Sequence, residues 1–189
     1  MIDFLTKTGL NKIYDINEFN QKNIILRDGR NATLWVSKKD GHGILDPKYW
    51  EATDFYTEDY RNQFSANLNS YTSPDDHINI YKKINKRQFN QFKDKVSKST
   101  KFLEIGSSFG GIIRQIDKLE IKRCDALEPN VQDATFLRSK LKNTNVINSF
   151  FEKNDFKVKY DLVVSFAVLE HVFNLKSFYS YFSFCKIYK

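Results

Sequence analysis

The residues best suited to chemistry fall between Thr100 and Asn130. A short apolar run, KFLEI, places Glu104 next to its end and leads into the turn Gly106-Ser107-Ser108-Phe109-Gly110-Gly111. Glu128 follows twenty-two residues after Gly106, at the end of a second apolar run, in ALEPN. Glycine tolerates positive backbone angles, so such a turn lets main chain approach a ligand closely. Amides at the opening of the following helix favour a negative group such as a carboxylate. A carboxylate closing the second strand suits ribose hydroxyls. Together these features have the layout of a Rossmann-type nucleotide site. Ser108 stands where a dinucleotide fingerprint carries its middle glycine, so the turn suits a nucleoside ligand without a pyrophosphate.

Elements to position these residues are legible on both sides of the turn. Strands are expected at Lys101 to Ile105, Arg123 to Leu127, Asn145 to Ile147 and Asp161 to Ala167, with helices at Gly110 to Leu119 and Val131 to Leu141. Alternating strands and helices predict an α/β fold, a Rossmann-like parallel sheet with flanking helices. Upstream, Asn23 to Leu26 and Ala32 to Val36 flank the turn signal Arg27-Asp28-Gly29-Arg30 and predict a small hairpin. Asp46 to about Lys98 reads as helical, broken near Ser73 and Pro74, where Ser73 or Asp75 would cap the next helix. Leu175 to the end reads as a further helix. The expected organisation is a small β-rich region over 1–48, a helical lid or linker over 49–99 and a partial Rossmann-like domain over 100–189.

Composition narrows the classes. The chain has 189 residues, 41% hydrophobic and 15% aromatic, enough apolar side chain for a core. No run of about eighteen apolar residues and no leader pattern is evident, so the chain reads as soluble and cytoplasmic, without a membrane span. Cys124 and Cys185 have neither zinc-ligand spacing nor a disulfide framework, so no metal is expected. The net charge is +7. Part of it comes from Lys82, Lys83, Lys86, Arg87, Lys93, Lys95 and Lys98, opposed locally by Asp94. Such a cluster attracts nucleic acid or acidic sugars, yet Tyr81, Ile84, Phe89, Phe92 and Val96 run between the charges as a helical apolar stripe. The cluster therefore reads as a solvated helix face, and nucleic acid is not the expected partner.

In order and spacing, FLEIGSSFGG, ALEPN and YDLVVSFAVLEHVFN resemble the class I S-adenosylmethionine-dependent methyltransferases over about Lys101 to Ser177. That resemblance implies S-adenosyl-L-methionine as cofactor. Glu104, Gly106, Ser107, Ser108 and Gly110 would surround its methionine part, and Glu128 its ribose, with Pro129 and Asn130 beside the adenine. Phe150 and Phe151 would contact the adenine, and Ser165 and Phe166 would lie near the sulfonium. His171 is the candidate general base for an acceptor that must lose a proton; a structural helix-start role is the alternative. Upstream, HGILDPKYWEATDFYTEDYR resembles the segment preceding the methyltransferase domain in enzymes encoded with surface-polysaccharide genes. The acceptor implied is a small molecule, a sugar or sugar nucleotide, with Tyr56 and Tyr60 as a lid or as packing residues.

Two other readings remain open. Gly106-x-Ser108-x-Gly110 matches the nucleophile elbow of serine hydrolases, with Asp161 and His171 completing a Ser, Asp, His order. Against it stand Glu104 two residues before the turn and the placing of Asp161 and His171 at opposite ends of one strand. The methyltransferase sheet has seven strands, whereas this sequence supplies four. The domain is accordingly expected to be truncated after about the fourth strand, at SFYSYFSFCKIYK, leaving an exposed sheet edge for self-association or a completing partner. The chain would then be a methyltransferase working as it is or with that partner, or a non-catalytic remnant that retains cofactor.

Overall fold

Period-two alternation of apolar side chains builds the main sheet. In the computed structural model, which describes residues 5, 10–12, 14–26, 29–46, 73–172, 178 and 186–188, β4 (Lys101–Ile105), β5 (Arg123–Leu127), β6 (Asn145–Ile147), β7 (Leu162–Ser165) and β8 (Lys186–Tyr188) lie parallel in the order β6-β5-β4-β7-β8. Among the described residues this is a five-stranded Rossmann-like sheet whose strand order reverses beside β4. The registers run Phe102 against Cys124 and Leu162, and Glu104 against Ala126 and Val164. One face buries Phe102, Cys124, Ala126, Leu162 and Val164 together with Ile112, Ile113 and Ile116. The other buries Leu103, Ile105, Leu127 and Val163 against Phe151, Tyr160 and Phe178. Apolar cover on both faces is what a parallel sheet requires, and each fully buried Leu, Ile or Phe contributes roughly 1.5–3 kcal/mol.

The four expected strands are present at nearly the expected bounds. A fifth follows them. Leu175 to the end was expected to be helical and the domain to stop after the fourth strand; Phe178 is helical, residues 175–177, 179–185 and 189 lie outside the described residues, and Lys186–Tyr188 pairs instead with Leu162–Val164. The edge of β7 is thereby occupied over three residues, and edge pairing rather than helical periodicity decides those three.

Helices connect the strands. Ser73 caps α1 (Pro74–Ile80) by accepting the Asp76 amide hydrogen, with Pro74 in the first turn. α2 (Lys82–Asn90) follows directly. After β4 the expected helix is shorter than its periodicity suggests: Phe109 to Ile112 form a turn before α3 (Ile113–Asp117). α4 (Val131–Lys140) begins at Asn130, whose Oδ1 accepts the Asp133 amide hydrogen. Residues 47–72 lie outside the described residues, and with them Tyr56, Tyr60 and the first part of the expected lid; so does Cys185. Cys124 is buried, and burial pushes its thiol up to about 12, which makes it unreactive.

The chain divides into two compact units, Met1–Ala52 with Phe173–Lys176, and Thr53–Val172 with Ser177–Lys189. In the first, β1 (Phe19–Ile25) and β2 (Asn31–Ser37) form the expected antiparallel hairpin, and β3 (Gly43–Leu45) adds a third strand. Leu5, Phe19, Trp35 and Ile44 form its core. The second unit holds the site.

Candidate functional site

Ligand sites of open α/β sheets form beyond the carboxyl ends of the strands where the strand order reverses. Here that place lies between β4 and β7. Gly106 leaves β4 at φ 72°, and a Cβ built on it would meet Val168 Cγ2 at 2.4 Å, so both its conformation and its space demand glycine. Ser108 follows at φ 48°, and Ala167, just after β7, sits at φ 54°. Two non-glycine residues in the left-handed region on facing loops are a local cost of roughly 1–3 kcal/mol each.

Glu128 holds the turn in that shape. Its Oε2 accepts the Ser108 amide hydrogen at 2.7 Å and its Oε1 accepts that of Asn130 at 2.9 Å. Asn148 donates to the carbonyls of Glu128 and Pro129, both at 2.9 Å, and fixes the loop beneath.

Glu104 is the electrostatic anomaly. Period two puts it on the same face as Phe102, and its strand neighbours Ala126 and Val164 offer nothing polar. It is 5% exposed, and its Oε2 has no hydrogen-bond partner. Burial pushes its carboxyl up to about 8; the Glu128 charge acts in the same direction, against opposing hydrogen bonds from the Ile113 amide and Ser107. Ser165 Oγ is likewise buried without a partner.

Two cavities of about 280 Å³ each open on this turn. The first brings together Gly106, Ser108, Glu128, Pro129 and Asn130 with Phe150, Phe151, Phe166 and His171. The second is lined by Glu104, Gly106, Ser107, Ser108 and Phe166 together with residues of α1 and α2. Gly106, Ser108, Phe166 and His77 border both. Of the residues singled out from sequence, Gly110 and Ser165 line neither. Gly110, at φ 85°, packs instead under Leu137, whose Cδ2 would lie 2.6 Å from an added Cβ. Ser107 donates through Oγ to the Glu104 carbonyl at 3.3 Å. Phe151 stacks on Phe156 and so belongs to the core as well as to the cavity wall. Phe150 is half-buried, with Lys153 5.2 Å from its ring centre.

Residues that sequence reasoning missed come from α1 and α2. His77 packs edge-on against Phe109 at 5.1 Å and against Tyr81 at 4.6 Å, and Tyr81, Asn85 and Gln88 continue along the second cavity. Their spacing of about one helical turn was the available signal, but the charges between them drew attention first. Ile84, assigned to the apolar stripe, is 46% exposed and lines this cavity, whereas Phe92 is the stripe's buried anchor.

The serine hydrolase alternative fails on geometry. Asp161 accepts the Lys101 amide hydrogen at 2.8 Å, at the amino ends of the strands, while Ser108 follows their carboxyl ends. The Ser108 turn is elbow-like in its φ, but its amide is committed to Glu128, and Asp161 lies across the length of the sheet.

Among the described residues no group of His, Cys, Asp and Glu could hold a metal ion, and no helix is long and apolar enough to cross a membrane. No protein-family description matches the chain, and no curated protein matches it in sequence. Solved structures do resemble it. The plantazolicin methyltransferase BpumL in complex with SAH is 13% identical, with 71% of this chain and 52% of that one covered at a TM-score of 0.49. Coclaurine N-methyltransferase bound to N-methylheliamine and SAH is 15% identical, covering 53% of this chain and 32% of that one at 0.46. Magnesium protoporphyrin IX methyltransferase from Synechocystis PCC 6803, with bound SAH, is 9% identical over 64% of this chain and 58% of that one, at 0.48. The chain thus spans about a third to just over half the length of these proteins.

Proposed function

We propose that the chain binds S-adenosyl-L-methionine and transfers its methyl group to a small-molecule acceptor. The observation that carries this reading is the buried Glu104 carboxyl, with one oxygen unpartnered, beside a glycine turn that borders two cavities, the other of which is lined by a second buried carboxylate, Glu128. A buried carboxyl in apolar surroundings is costly unless a positive or hydrogen-donating group meets it. The cofactor's ammonium and sulfonium supply positive charge, and the Glu128 carboxylate, on the wall of the first cavity, would meet its ribose hydroxyls. The residues present fit this group. Gly106, Ser107 and Ser108 would bound its methionine part, while Pro129, Asn130, Phe150 and Phe151 would flank the adenine. Gly110 and Ser165 would act one layer back, through the turn and the end of β7.

When bound, the cofactor supplies an activated methyl on sulfur, open to in-line displacement. The protein's work is alignment and exclusion of water. Phe166 borders both cavities and would separate the reacting centre from solvent. An acceptor that must lose a proton needs a base, for which His171, on the wall of the first cavity, is the proposed residue. The proposed acceptor is a sugar or sugar nucleotide, methylated at oxygen, carbon or nitrogen, a reading supported by the upstream HGILDPKYWEATDFYTEDYR likeness.

Calorimetric titration of the 189-residue chain with S-adenosylhomocysteine tests the cofactor reading, and saturation at one site is expected. Absence of binding by a chain shown to be folded overturns it. Transfer of labelled methyl to nucleotide sugars is the expected outcome for the acceptor. Transfer only to protein or nucleic acid would sink the sugar assignment.

A further inference from the structure

The basic cluster that looked like a solvated helix face has a concave partner. Lys82, Lys86 and Lys93, from α2 and the segment after it, face Arg114 and Lys118, from α3 and its end, across a cleft of about 510 Å³. Asp75 is the acidic residue on its wall, and it is occupied, with its carboxylate 3.2 Å from Arg114 and 3.6 Å from Lys140. The four lysines make no ion pair among the described residues. Like charges gathered in a concavity raise the local potential and hold a counter-anion more strongly than the same charges spread over a convex face.

The cleft adjoins the second cavity, where the methionine end of the cofactor, and with it the methyl group, is proposed to lie. Ile78, Asn85 and Gly111 line both it and the second cavity, and the Asn85 amide lies so close over Gly111 that an added Cβ would meet its Nδ2 at 2.3 Å. The two spaces are therefore separated by a thin ridge. The lysines lie on one side of it and the buried Glu104 carboxyl on the other. A cationic cofactor is repelled from the lysine side.

We infer that this cleft holds the phosphate or diphosphate of an anionic methyl acceptor, whose reacting end crosses the Asn85–Gly111 ridge into the cavity beside Gly106. This rests on the methyltransferase reading above and narrows its acceptor to a phosphate-bearing small molecule. Lysine ammonium groups suit phosphate as point charges, and the volume falls within the ordinary range of small-ligand pockets, about 300–1,000 Å³. Among the described residues Phe89 is the lone aromatic on the cleft wall. Single-stranded nucleic acid would need a series of stacking rings, so a compact phosphate ligand is favoured.

The test is titration of the full chain with inorganic pyrophosphate and, in parallel, with S-adenosylhomocysteine, for the native protein and for Lys86→Glu and Lys118→Glu. Both substitutions lie on exposed side chains outside the proposed cofactor cavities. Pyrophosphate is expected to saturate one site, each reversal to weaken it by about tenfold or more, and S-adenosylhomocysteine affinity to stay unchanged. No pyrophosphate site in a protein that binds S-adenosylhomocysteine overturns this inference and leaves the cofactor reading standing. Pyrophosphate affinity indifferent to both reversals overturns it too, since the anion then sits elsewhere. Pyrophosphate bound without S-adenosylhomocysteine overturns the cofactor reading and the acceptor role of the cleft with it. A short oligothymidylate bound on the order of a hundredfold more tightly than pyrophosphate, and lost on the same reversals, assigns the cleft to nucleic acid instead.

Discussion

The two ends of the main sheet treat buried polar groups in opposite ways. Towards the amino ends of the strands the carboxylates Asp117, Asp125 and Asp161 are satisfied. Asp117 accepts from the amides of Lys142 and Asn143 and from the Thr144 hydroxyl, Asp125 accepts from Arg123, Asn145 and Tyr160, and Asp161 accepts the Lys101 amide hydrogen. At the carboxyl ends, Glu104 and Ser165 each keep an unpartnered oxygen, and Ser108 and Ala167 hold positive φ. Positive φ is not what separates the ends, since Glu120 before β5 also holds it, at 48°; folding alone gives no reason to leave buried atoms unsatisfied in one place while resolving them in another. On the proposed reading, polar burial at the amino ends serves the fold, and the unsatisfied atoms at the carboxyl ends serve a ligand.

The sharpest way to break this contrast is Asp117→Ala. It strips the partners from two amides and a hydroxyl, and should destabilise the protein by roughly 3–5 kcal/mol in denaturant titration while leaving the affinity of folded protein for S-adenosylhomocysteine unchanged. A loss below about 1 kcal/mol would remove the distinction between the two ends.

Glu104 gives the converse. Its folded pKa of about 8 lies above the ordinary value of 4.5. Between those limits the folded state holds a proton that the unfolded state has released. Stability from this group is therefore fully present below about pH 4.5, falls as pH rises towards 8, by up to about 1.4 kcal/mol per pH unit, and then levels. Glu104→Gln should flatten that slope in melts followed from pH 5 to 9. A variant as pH-dependent as the native protein would place the proton elsewhere.

Gly106→Ala forces a Cβ against Val168 at φ 72°. It should weaken S-adenosylhomocysteine by about a hundredfold, near 2.7 kcal/mol, and calorimetry on the folded variant would show it. Unchanged affinity would mean that the turn is not the binding surface. Smallest of the set, Glu128→Ala should cost about 1–2 kcal/mol of S-adenosylhomocysteine affinity, the scale of charge-assisted hydrogen bonds. Because Glu128 also holds the Ser108 amide, part of that loss should appear as faster hydrogen exchange at Ser108. Affinity kept despite that loosening would show that the ribose is held by other groups.

Much of this was legible locally. KFLEI and RCDAL fold as strands over the expected residues because apolar side chains must cover both faces of a parallel sheet, and the glycine turn between them needs no distant partner to be recognised. Ser73 could be read as a cap because capping chemistry lies within three residues of chain. The spacing of Glu104, Gly106 and Glu128 likewise determined that two carboxylates and a turn would meet at one end of the sheet.

Tertiary structure decided the rest. Sequence could not say that Glu104 would find only Ala126 and Val164 beside it, since strand register is a long-range property. Nor could it say that Gly110 would pack against Leu137 and stay out of the two cavities beside Gly106, or that Asp161 would be spent on the Lys101 amide. His77, Tyr81 and Asn85 became cavity residues because α1 and α2 pack beside the turn, and the lysines between them became a cleft because α3 faces them. Lys186–Tyr188 became a strand for the same reason: the open edge of β7 offered backbone hydrogen bonds that outweighed a helical reading of its sequence. Local pattern encodes which atoms seek burial or partners, and only the folded chain decides which of them find any.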